Sequence, residues 1–143
     1  MNVSIMDVST LCDEREGMIM ADMTIGAVTM DCKNPDTLSD FYARMLGWEK
    51  TYADVQYTFI ASPDCPVRIG FQKNEDYAPP VWPEKPGEQQ QMVHIDFNVK
   101  DKEEMKEMVR HALACGARKA EEQYSDRWTV MFDPEGHPFC IDT

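Results

Sequence analysis

His94 and Asp96 lie two residues apart in the segment MVHIDFNV, residues 92–99. Apolar and polar residues alternate strictly through this segment, which predicts a β-strand with one apolar face and one polar face. A histidine and a carboxylate on the same face of a strand can hold a metal ion or act as an acid and a base. Either chemistry needs further groups, which other elements of the fold must supply.

Composition and charge limit the classes of function open to the chain. Its 143 residues suit one domain or two small paired modules. A formal net charge of −12 makes nucleic acid and anionic membranes unfavourable partners. No apolar segment approaches the roughly 18 residues of a membrane span, and residues 1–22 lack the features of a secretory signal. We therefore expect a cytoplasmic protein with no nucleic-acid or membrane partner.

The cysteines do not form a recognisable framework. There are five of them, widely spaced and without a C-x-x-C pair: Cys12, Cys32, Cys65, Cys115 and Cys140. An odd number at such spacings argues against a disulfide scaffold and against a structural zinc site. Most are expected to be small buried hydrophobic residues.

A unit of one strand, one helix and three short strands occurs twice along the chain. Each copy begins with a strand-like segment and continues into a helix that starts after Asn34 or Asp101 and ends at Gly47 or Gly116. The apolar stripes of the two helices lie 67 residues apart, with Leu38, Phe41, Tyr42, Met45 and Leu46 in the first and Met105, Met108, Val109, Ala112 and Leu113 in the second. This recurrence predicts two βαβββ modules.

The remaining strands and the linker complete the division of the chain. The short strands are predicted at residues 48–53, 56–62 and 67–73, and again at 118–123, 127–132 and 139–142. A proline-rich segment between the copies predicts an irregular linker. The predicted organisation is an N-terminal extension (1–22), a first module (23–73), the linker (74–91) and a second module (92–143), with residues 23–143 forming one domain.

The double unit resembles the vicinal oxygen chelate superfamily, which contains glyoxalase I, bleomycin-resistance proteins and extradiol dioxygenases. The matching segments are FYARMLGW (41–48), MVHIDFNV (92–99), ACGA (114–117) and FDPEGHPFCID (132–142). The sequence looks most like the glyoxalase-like domain branch, where a V-H-I-D strand and a D-P-E-G-x-x-F-C ending occur together. The resemblance implies an α+β fold in which two βαβββ modules form a half-open cup of mixed β-sheet with the helices on the outside.

The resemblance also identifies four positions for metal ligands. Metal enzymes of the superfamily hold a divalent ion at the base of the cup, with ligands on the first and last strands of each module. The corresponding residues of this chain are Ala27, Gly70, His94 and Cys140. Two of these have no ligand atom, and one histidine with one thiol is too few donors for a catalytic ion. We therefore predict no metal and no other cofactor, unless Asp96, Asp31 or Gln72 supplies a donor through a different strand register.

The cup is expected to form a pocket for a small molecule. Its predicted ligand-binding residues are His94, Asp96, Arg68, Gln72, Trp82, Tyr57 and Cys140. Small residues at positions 27 and 70 predict a roomy floor. Trp82 is expected either to pack the linker against the rest of the domain or to form part of a lid over the pocket.

Several of these side chains also have a purely structural interpretation. Arg68 is expected to form an ion pair with Asp96 or Asp31 in preference to binding a substrate anion. Trp48 and Trp128 are expected in the core, and Cys140 is expected to be an inert buried thiol. His94 is equally compatible with a buried histidine bonded to Asp96.

The preferred function is binding of a small organic molecule in a metal-free cup between the modules. Whether the chain is an enzyme stays open. One alternative is a metal-dependent lyase or dioxygenase with atypical ligands around His94. Another is a metal-free enzyme in which His94 and Asp96 are the candidate catalytic residues, acting as acid and base. The exposed sheet edges of the modules predict a homodimer.

Overall fold

The computed structural model describes residues 22–143. The predicted N-terminal extension and Cys12 lie outside the described residues, apart from Asp22. The first module contains β1 (Ala27–Cys32), α1 (Pro35–Leu46), β2 (Glu49–Ala53), β3 (Tyr57–Ser62) and β4 (Cys65–Lys73). The second contains β5 (Ile95–Asn98), α2 (Lys102–Cys115), β6 (Arg118–Lys119), β7 (Trp128–Phe132) and β8 (Pro138–Asp142). Neither described helix has the length and apolar character that crossing a membrane requires.

Both helices begin and end where their capping residues predict. The Asn34 side chain accepts a hydrogen bond from the Thr37 amide at 3.2 Å, and the Asp101 side chain accepts one from the Glu104 amide at 2.8 Å. Each bond satisfies an amide that the first helical turn leaves unpaired. Gly47 and Gly116 follow the last helical residues with φ of 67° and 117°, a left-handed backbone that glycine adopts without strain.

Each module contributes one four-stranded mixed sheet. The strand orders are β1-β4-β3-β2 and β5-β8-β7-β6, and in each sheet the first and last strands of the module pair in parallel. The register places Thr29 beside Gly70 and Asp96 beside Cys140. The predicted α+β architecture of two βαβββ units is therefore confirmed.

The strand predicted at residues 118–123 is shorter than expected, because only Arg118 and Lys119 pair with β7 as a strand. Beyond them, the Ala120 amide still donates to the Val130 carbonyl at 3.0 Å, and the Gln123 side chain then takes the place of further main-chain pairing. Its amide nitrogen donates to the carbonyls of Ala120 and Val130, and its oxygen accepts from the Val130 amide at 2.8 Å. A side chain that satisfies main-chain groups in this way ends the regular pairing.

One hydrophobic core joins the two modules. Phe41 and Tyr42 of α1 each lie 6.3 Å, centroid to centroid, from the Phe139 ring on β8. Tyr42 also lies 5.5 Å from Phe71 on β4, so α1 contacts both sheets. All four aromatic side chains are buried, and burial of each such side chain stabilises the fold by about 2 kcal/mol. The helices therefore cover one face of each sheet, and the opposite faces stay open.

A buried carboxylate also connects the modules. Asp133, in the turn after β7, is fully buried and accepts hydrogen bonds from the Tyr42 hydroxyl at 2.8 Å and from the His137 ring at 2.7 Å. The amides of Glu135 and His137 donate to its other oxygen. Burial, followed by the charge and hydrogen bond of Asp133, raises the pKa of Tyr42 well above its usual value. The phenol therefore remains a hydrogen-bond donor throughout the neutral range.

A candidate small-molecule site on the second sheet

The open face of the second sheet and the linker enclose a cavity of about 500 Å³. Its lining is Trp82, Gln91, His94, Asp96, Tyr124, Trp128, Val130, Pro138, Cys140 and Asp142. The period of two along a strand explains why alternate residues of β7 and β8 share this face, while Met131 and Ile141 belong to the core on the other side. No residue of the first sheet is among the described residues that line this cavity.

Three chemically active side chains converge in this cavity. The Nε2 atom of His94 lies 3.2 Å from Asp96 Oδ1, and Cys140 stands beside Asp96 in the parallel register of β5 and β8. One possible ligand atom from each of the three residues lies within 4.8 Å of the others. The polar face predicted for residues 92–99 therefore does bring a histidine and a carboxylate together. Asp96 is one of the three residues named above as exceptions to the prediction of no metal, and it lies beside His94 and Cys140.

The electrostatic environment of the cavity opposes further negative charge. Burial, and then the charges of Asp96 and Asp142 with a hydrogen bond to Asp96, raises the pKa of the Cys140 thiol to about 12. Burial and the charge of Asp96 also raise the pKa of Asp142, against the opposing effect of His94. Cys140 is consequently protonated at neutral pH, which agrees with the expectation of an inert thiol.

Three aromatic side chains, Trp82, Tyr124 and Trp128, form an aromatic wall of the same cavity. Trp82 from the linker meets Tyr124 edge to face, with centroids 6.1 Å apart and ring planes at 81°. Trp128 on β7 lies beside the same cavity and is 37% exposed. Its predicted place in the core is therefore wrong. The adjacent Thr129 and Met131 occupy the buried positions that face the helices, which leaves Trp128 on the open face. Trp48, in contrast, packs against the core as expected.

Three of the predicted ligand-binding residues lie elsewhere. Arg68, Gln72 and Tyr57 are on the first sheet and do not line the cavity that contains His94. The ion pair predicted for Arg68 is wrong, because its guanidinium lies 5.1 Å from the centroid of the Phe59 ring and its Nε donates to the Gly26 carbonyl at 3.4 Å. Asp31, the other expected partner, accepts a hydrogen bond from the Asn74 side chain at 2.9 Å.

The roomy floor expected at position 70 is also absent from the described first sheet. A Cβ atom built on Gly70 would lie 2.6 Å from Thr29 Oγ1 and 2.7 Å from Phe59 Cε1. The space that a larger residue would need is therefore already occupied by side chains of β1 and β3. Gly70 is small because its neighbours approach closely, and not because a ligand does.

Sequence reasoning missed Tyr124 and Gln91 as lining residues. Both lie in irregular segments, where no periodicity assigns a side chain to a face. The signal that was present is the aromatic character of Tyr124 in an otherwise polar loop. Asp142, in contrast, follows from the alternation along β8, because it lies two residues after Cys140.

The comparisons with known proteins agree with the observed topology. The sequence profile of the glyoxalase-like domain family matches residues 27–141. The chain belongs to this family. No curated protein matches it in sequence. Among solved structures, a glyoxalase/bleomycin resistance protein/dioxygenase family enzyme from Burkholderia phytofirmans superposes with a TM-score of 0.62 at 22% identity, covering 82% of this chain and 95% of that one.

Two further structures show the same fold. A glyoxalase family protein from Enterococcus faecalis has a TM-score of 0.61 at 18% identity, covering 84% of this chain and 97% of that one. A fosfomycin resistance protein from Listeria monocytogenes, solved with Mn(II) and a dihydroxypropylphosphonic acid, has a TM-score of 0.60 at 17% identity, covering 86% and 90% of the two chains. At these identities the likeness concerns the fold alone.

The four positions that the resemblance assigns to metal ligands are divided between the two described sheets. Ala27 and Gly70 have no ligand atom and lie on the first sheet, whereas His94 and Cys140 line the cavity of the second. The space over Gly70 is filled by protein atoms. The three donors that do converge are a nitrogen, an oxygen and a sulfur, a set that suits Zn²⁺ better than Mg²⁺ or Mn²⁺.

Proposed function

We propose that this glyoxalase-like domain protein binds a small organic molecule in the cavity between its second sheet and its linker. The observation that carries the proposal is that one cavity is lined by aromatic side chains, Trp82, Tyr124 and Trp128, together with the polar side chains of His94, Asp96 and Asp142. A volume of about 500 Å³ suits a ligand of drug or metabolite size. Apolar walls with a few converging polar groups are typical of such sites.

The polar side chains would fix the orientation of the ligand. His94 and Asp96 have side chains that are 41% and 50% exposed, and their mutual contact at 3.2 Å holds the imidazole in place. The ligand would gain most of its affinity from burial against the rings and its specificity from hydrogen bonds to these two groups.

The three tryptophans provide a direct test of this proposal. Small organic fragments are screened against the full chain while the indole N–H signals of the tryptophans are followed by NMR. Fragments that occupy the cavity should shift the signals of Trp82 and Trp128 and leave that of Trp48 in place. Trp128→Ala should weaken binding, whereas Trp48→Phe is the matched control. Fragments that bind Trp128→Ala as well as wild type would contradict the proposal, as would a screen without hits.

A second candidate is a metal-dependent activity, lyase or dioxygenase, at the cluster of His94, Asp96 and Cys140. The convergence of three ligand atoms within 4.8 Å favours it. The raised pKa of Cys140 opposes it, because the thiol must lose its proton to bind an ion. Calorimetric titration of the protein with Zn²⁺ tests this candidate. It requires that the wild-type protein binds Zn²⁺, that Cys140→Ser weakens this binding, and that the control variant Cys65→Ser leaves it unchanged.

A third candidate is acid–base catalysis without a metal. The hydrogen-bonding distance between His94 and Asp96 favours it, because a carboxylate that orients an imidazole is the usual arrangement of a general base. The discriminating result is a pH-dependent turnover of a bound fragment that His94→Ala abolishes while binding is retained. Retained turnover in His94→Ala would eliminate this candidate.

We also propose that two copies of the chain associate as a homodimer. In the described sheets, β1 and β5 each pair on one side only. Exposed apolar residues precede both strands, with Ile25 before β1 and Met92 and Val93 before β5. A second copy would cover these segments, and it could bring the open face of a first sheet to the cavity. Light scattering should give a dimer mass that Val93→Glu reduces, with Val55→Glu in the β2–β3 turn as the control.

We also propose that the protein is cytoplasmic. Its four described cysteines, Cys32, Cys65, Cys115 and Cys140, are free thiols. Thiols in this number are typical of reducing compartments. Labelling of these cysteines in intact cells and in lysates would test the location.

A further inference from the structure

The cavity on the second sheet contains more negative charge than the described chain balances. Asp96 and Asp142 both line it, and the described lining includes no lysine or arginine. Its one basic side chain is His94, which lies against Asp96. Even a protonated His94 would leave one carboxylate without a cation. Oδ1 of Asp142 is moreover buried and has no hydrogen-bond partner.

A carboxylate oxygen that is buried without a hydrogen-bond donor or a cation loses its hydration and gains no interaction in exchange. Oδ1 of Asp142 is in this position. A positively charged group in the cavity would donate to this oxygen and offset the charges of Asp96 and Asp142, whereas an anion would add to their repulsion.

The aromatic wall favours the same sign of charge. The faces of tryptophan and tyrosine rings carry negative electrostatic potential, and tryptophan attracts cations most strongly. Trp82, Tyr124 and Trp128 all line the cavity, and Trp82 and Tyr124 meet edge to face. The formal net charge of −12 also attracts cations to the protein at long range. The carboxylates and the aromatic rings thus both favour a positively charged ligand.

We propose that the ligand of this cavity is an organic cation, an alkylammonium or arylalkylammonium group that contacts the carboxylates of Asp96 and Asp142 and the rings of Trp82 and Trp128. This inference rests on the proposed binding function of the cavity and specifies the charge of its ligand. The apolar part of the ligand packs against the rings, and its ammonium donates to the carboxylates. A neutral ligand of the same shape leaves the negative charge of Asp142 without a cationic partner.

Three probes of nearly the same shape but different charge test the inference. Phenethylammonium, 2-phenylethanol and phenylacetate are titrated against the full chain at neutral pH, with the indole signals of Trp82 and Trp128 as the readout. The ammonium should bind at least about tenfold more tightly than the alcohol, and phenylacetate should bind most weakly. Added salt should weaken the binding of the ammonium more than that of the alcohol.

Two variants that each remove one carboxylate charge test whether Asp142 causes the preference for the cation. Asp142→Asn should reduce the affinity for phenethylammonium to about that for 2-phenylethanol, while the affinity for the alcohol stays unchanged. Asp64→Asn, in the turn between β3 and β4, removes one charge far from the cavity lining and should leave both affinities as in wild type. If circular dichroism shows that Asp142→Asn does not fold, Asp96→Asn takes its place.

The outcomes separate this inference from the proposed function. Equal or tighter binding of the alcohol or phenylacetate, weakened by Trp128→Ala, overturns the cationic ligand and leaves small-molecule binding intact. Phenethylammonium binding that neither Asp142→Asn nor Asp96→Asn weakens also overturns it. Failure of all three probes and of every screened fragment to shift the two indole signals overturns both.

Discussion

The Nε2 atom of His137 lies 2.7 Å from the carbonyl oxygen of Asp31, so a side chain of the second module is bonded to the first strand of the first module. The other ring nitrogen lies 2.7 Å from Asp133 Oδ2. Both nitrogens therefore face oxygen acceptors, and only the protonated ring can donate to both. The carboxylate of Glu135 reinforces this contact by accepting from the amides of Lys33 and Asn34.

This arrangement predicts that stability falls as the pH rises. Burial acts to lower the pKa of His137, but the hydrogen bond and charge of Asp133, with the Asp31 carbonyl and Glu135, raise it overall. A group whose pKa is raised on folding stabilises the protein fully below its unfolded pKa, about 6.5 for histidine. That stabilisation is lost as the pH rises through the higher folded value. The free energy of unfolding, measured in urea, should therefore decline above about pH 6.5.

The pH dependence assigned to His137 must disappear when the residue is replaced. His137→Gln should be less stable than wild type at low pH and should show a flatter profile above about pH 6.5. His111→Gln is the control, because His111 also links the modules, through the Met45 carbonyl at 3.0 Å, but is exposed. Profiles of the same slope in wild type and His137→Gln would rule out this role of the imidazole.

A second prediction concerns the close packing around Gly70. Gly70→Ala should destabilise the protein by about 1–3 kcal/mol, because the new methyl group would overlap Thr29 Oγ1 and Phe59 Cε1 at 2.6 and 2.7 Å. Gly26→Ala is the matched control, since a Cβ at Gly26 meets nothing within 4 Å. Urea denaturation measures both. Equal stability of the two variants would mean that the space over Gly70 is open after all.

The reactivity of Cys140 gives a third prediction. A pKa of about 12 leaves roughly a thousandfold less thiolate at neutral pH than an ordinary cysteine has. Alkylation by iodoacetamide, followed residue by residue by mass spectrometry, should therefore be slow at Cys140. Asp96→Asn should accelerate it, because that variant removes a negative charge and a hydrogen-bond acceptor from the thiol. An unchanged rate in Asp96→Asn would show that Asp96 does not control the thiol, which leaves burial and the charge of Asp142.

Local signals in the sequence were sufficient to predict the helices and the order of the elements. Asn34 and Asp101 make their capping bonds, and Gly47 and Gly116 adopt left-handed backbones, as their positions indicated. These features depend on a few neighbouring residues, so they can be read without the tertiary structure. Alternation along residues 92–99 likewise placed His94 and Asp96 on one face.

The parts of the site that sequence analysis missed depend on long-range packing. Arg68 lies against Phe59, and Trp128 lines the cavity because Thr129 and Met131 take the buried positions of β7. Neither outcome can be obtained from periodicity, which assigns a residue to a face but does not say what covers that face. The cavity also depends on Trp82, in a linker without periodicity.

Two hydrogen-bond donors share one carboxylate oxygen of Asp133. Tyr42 and His137 both donate to Asp133 Oδ2, at 2.8 and 2.7 Å. Tyr42→Phe should cost about 1–2 kcal/mol, because it removes one bond to a buried carboxylate. The two changes should not be additive, because the loss of either donor alters the charge and position of the oxygen that the other needs.

A double-mutant cycle in urea measures this coupling between Tyr42 and His137. Tyr42→Phe, His137→Gln and the double variant should give an interaction energy of about 0.5 kcal/mol or more at low pH, where the ring is protonated. The coupling should shrink as the pH rises and the imidazole loses its proton. Tyr57→Phe with His137→Gln is the control pair, because Tyr57 is on the first sheet and does not bond to Asp133. Additive effects of Tyr42→Phe and His137→Gln at every pH would mean that the two modules are held by independent bonds.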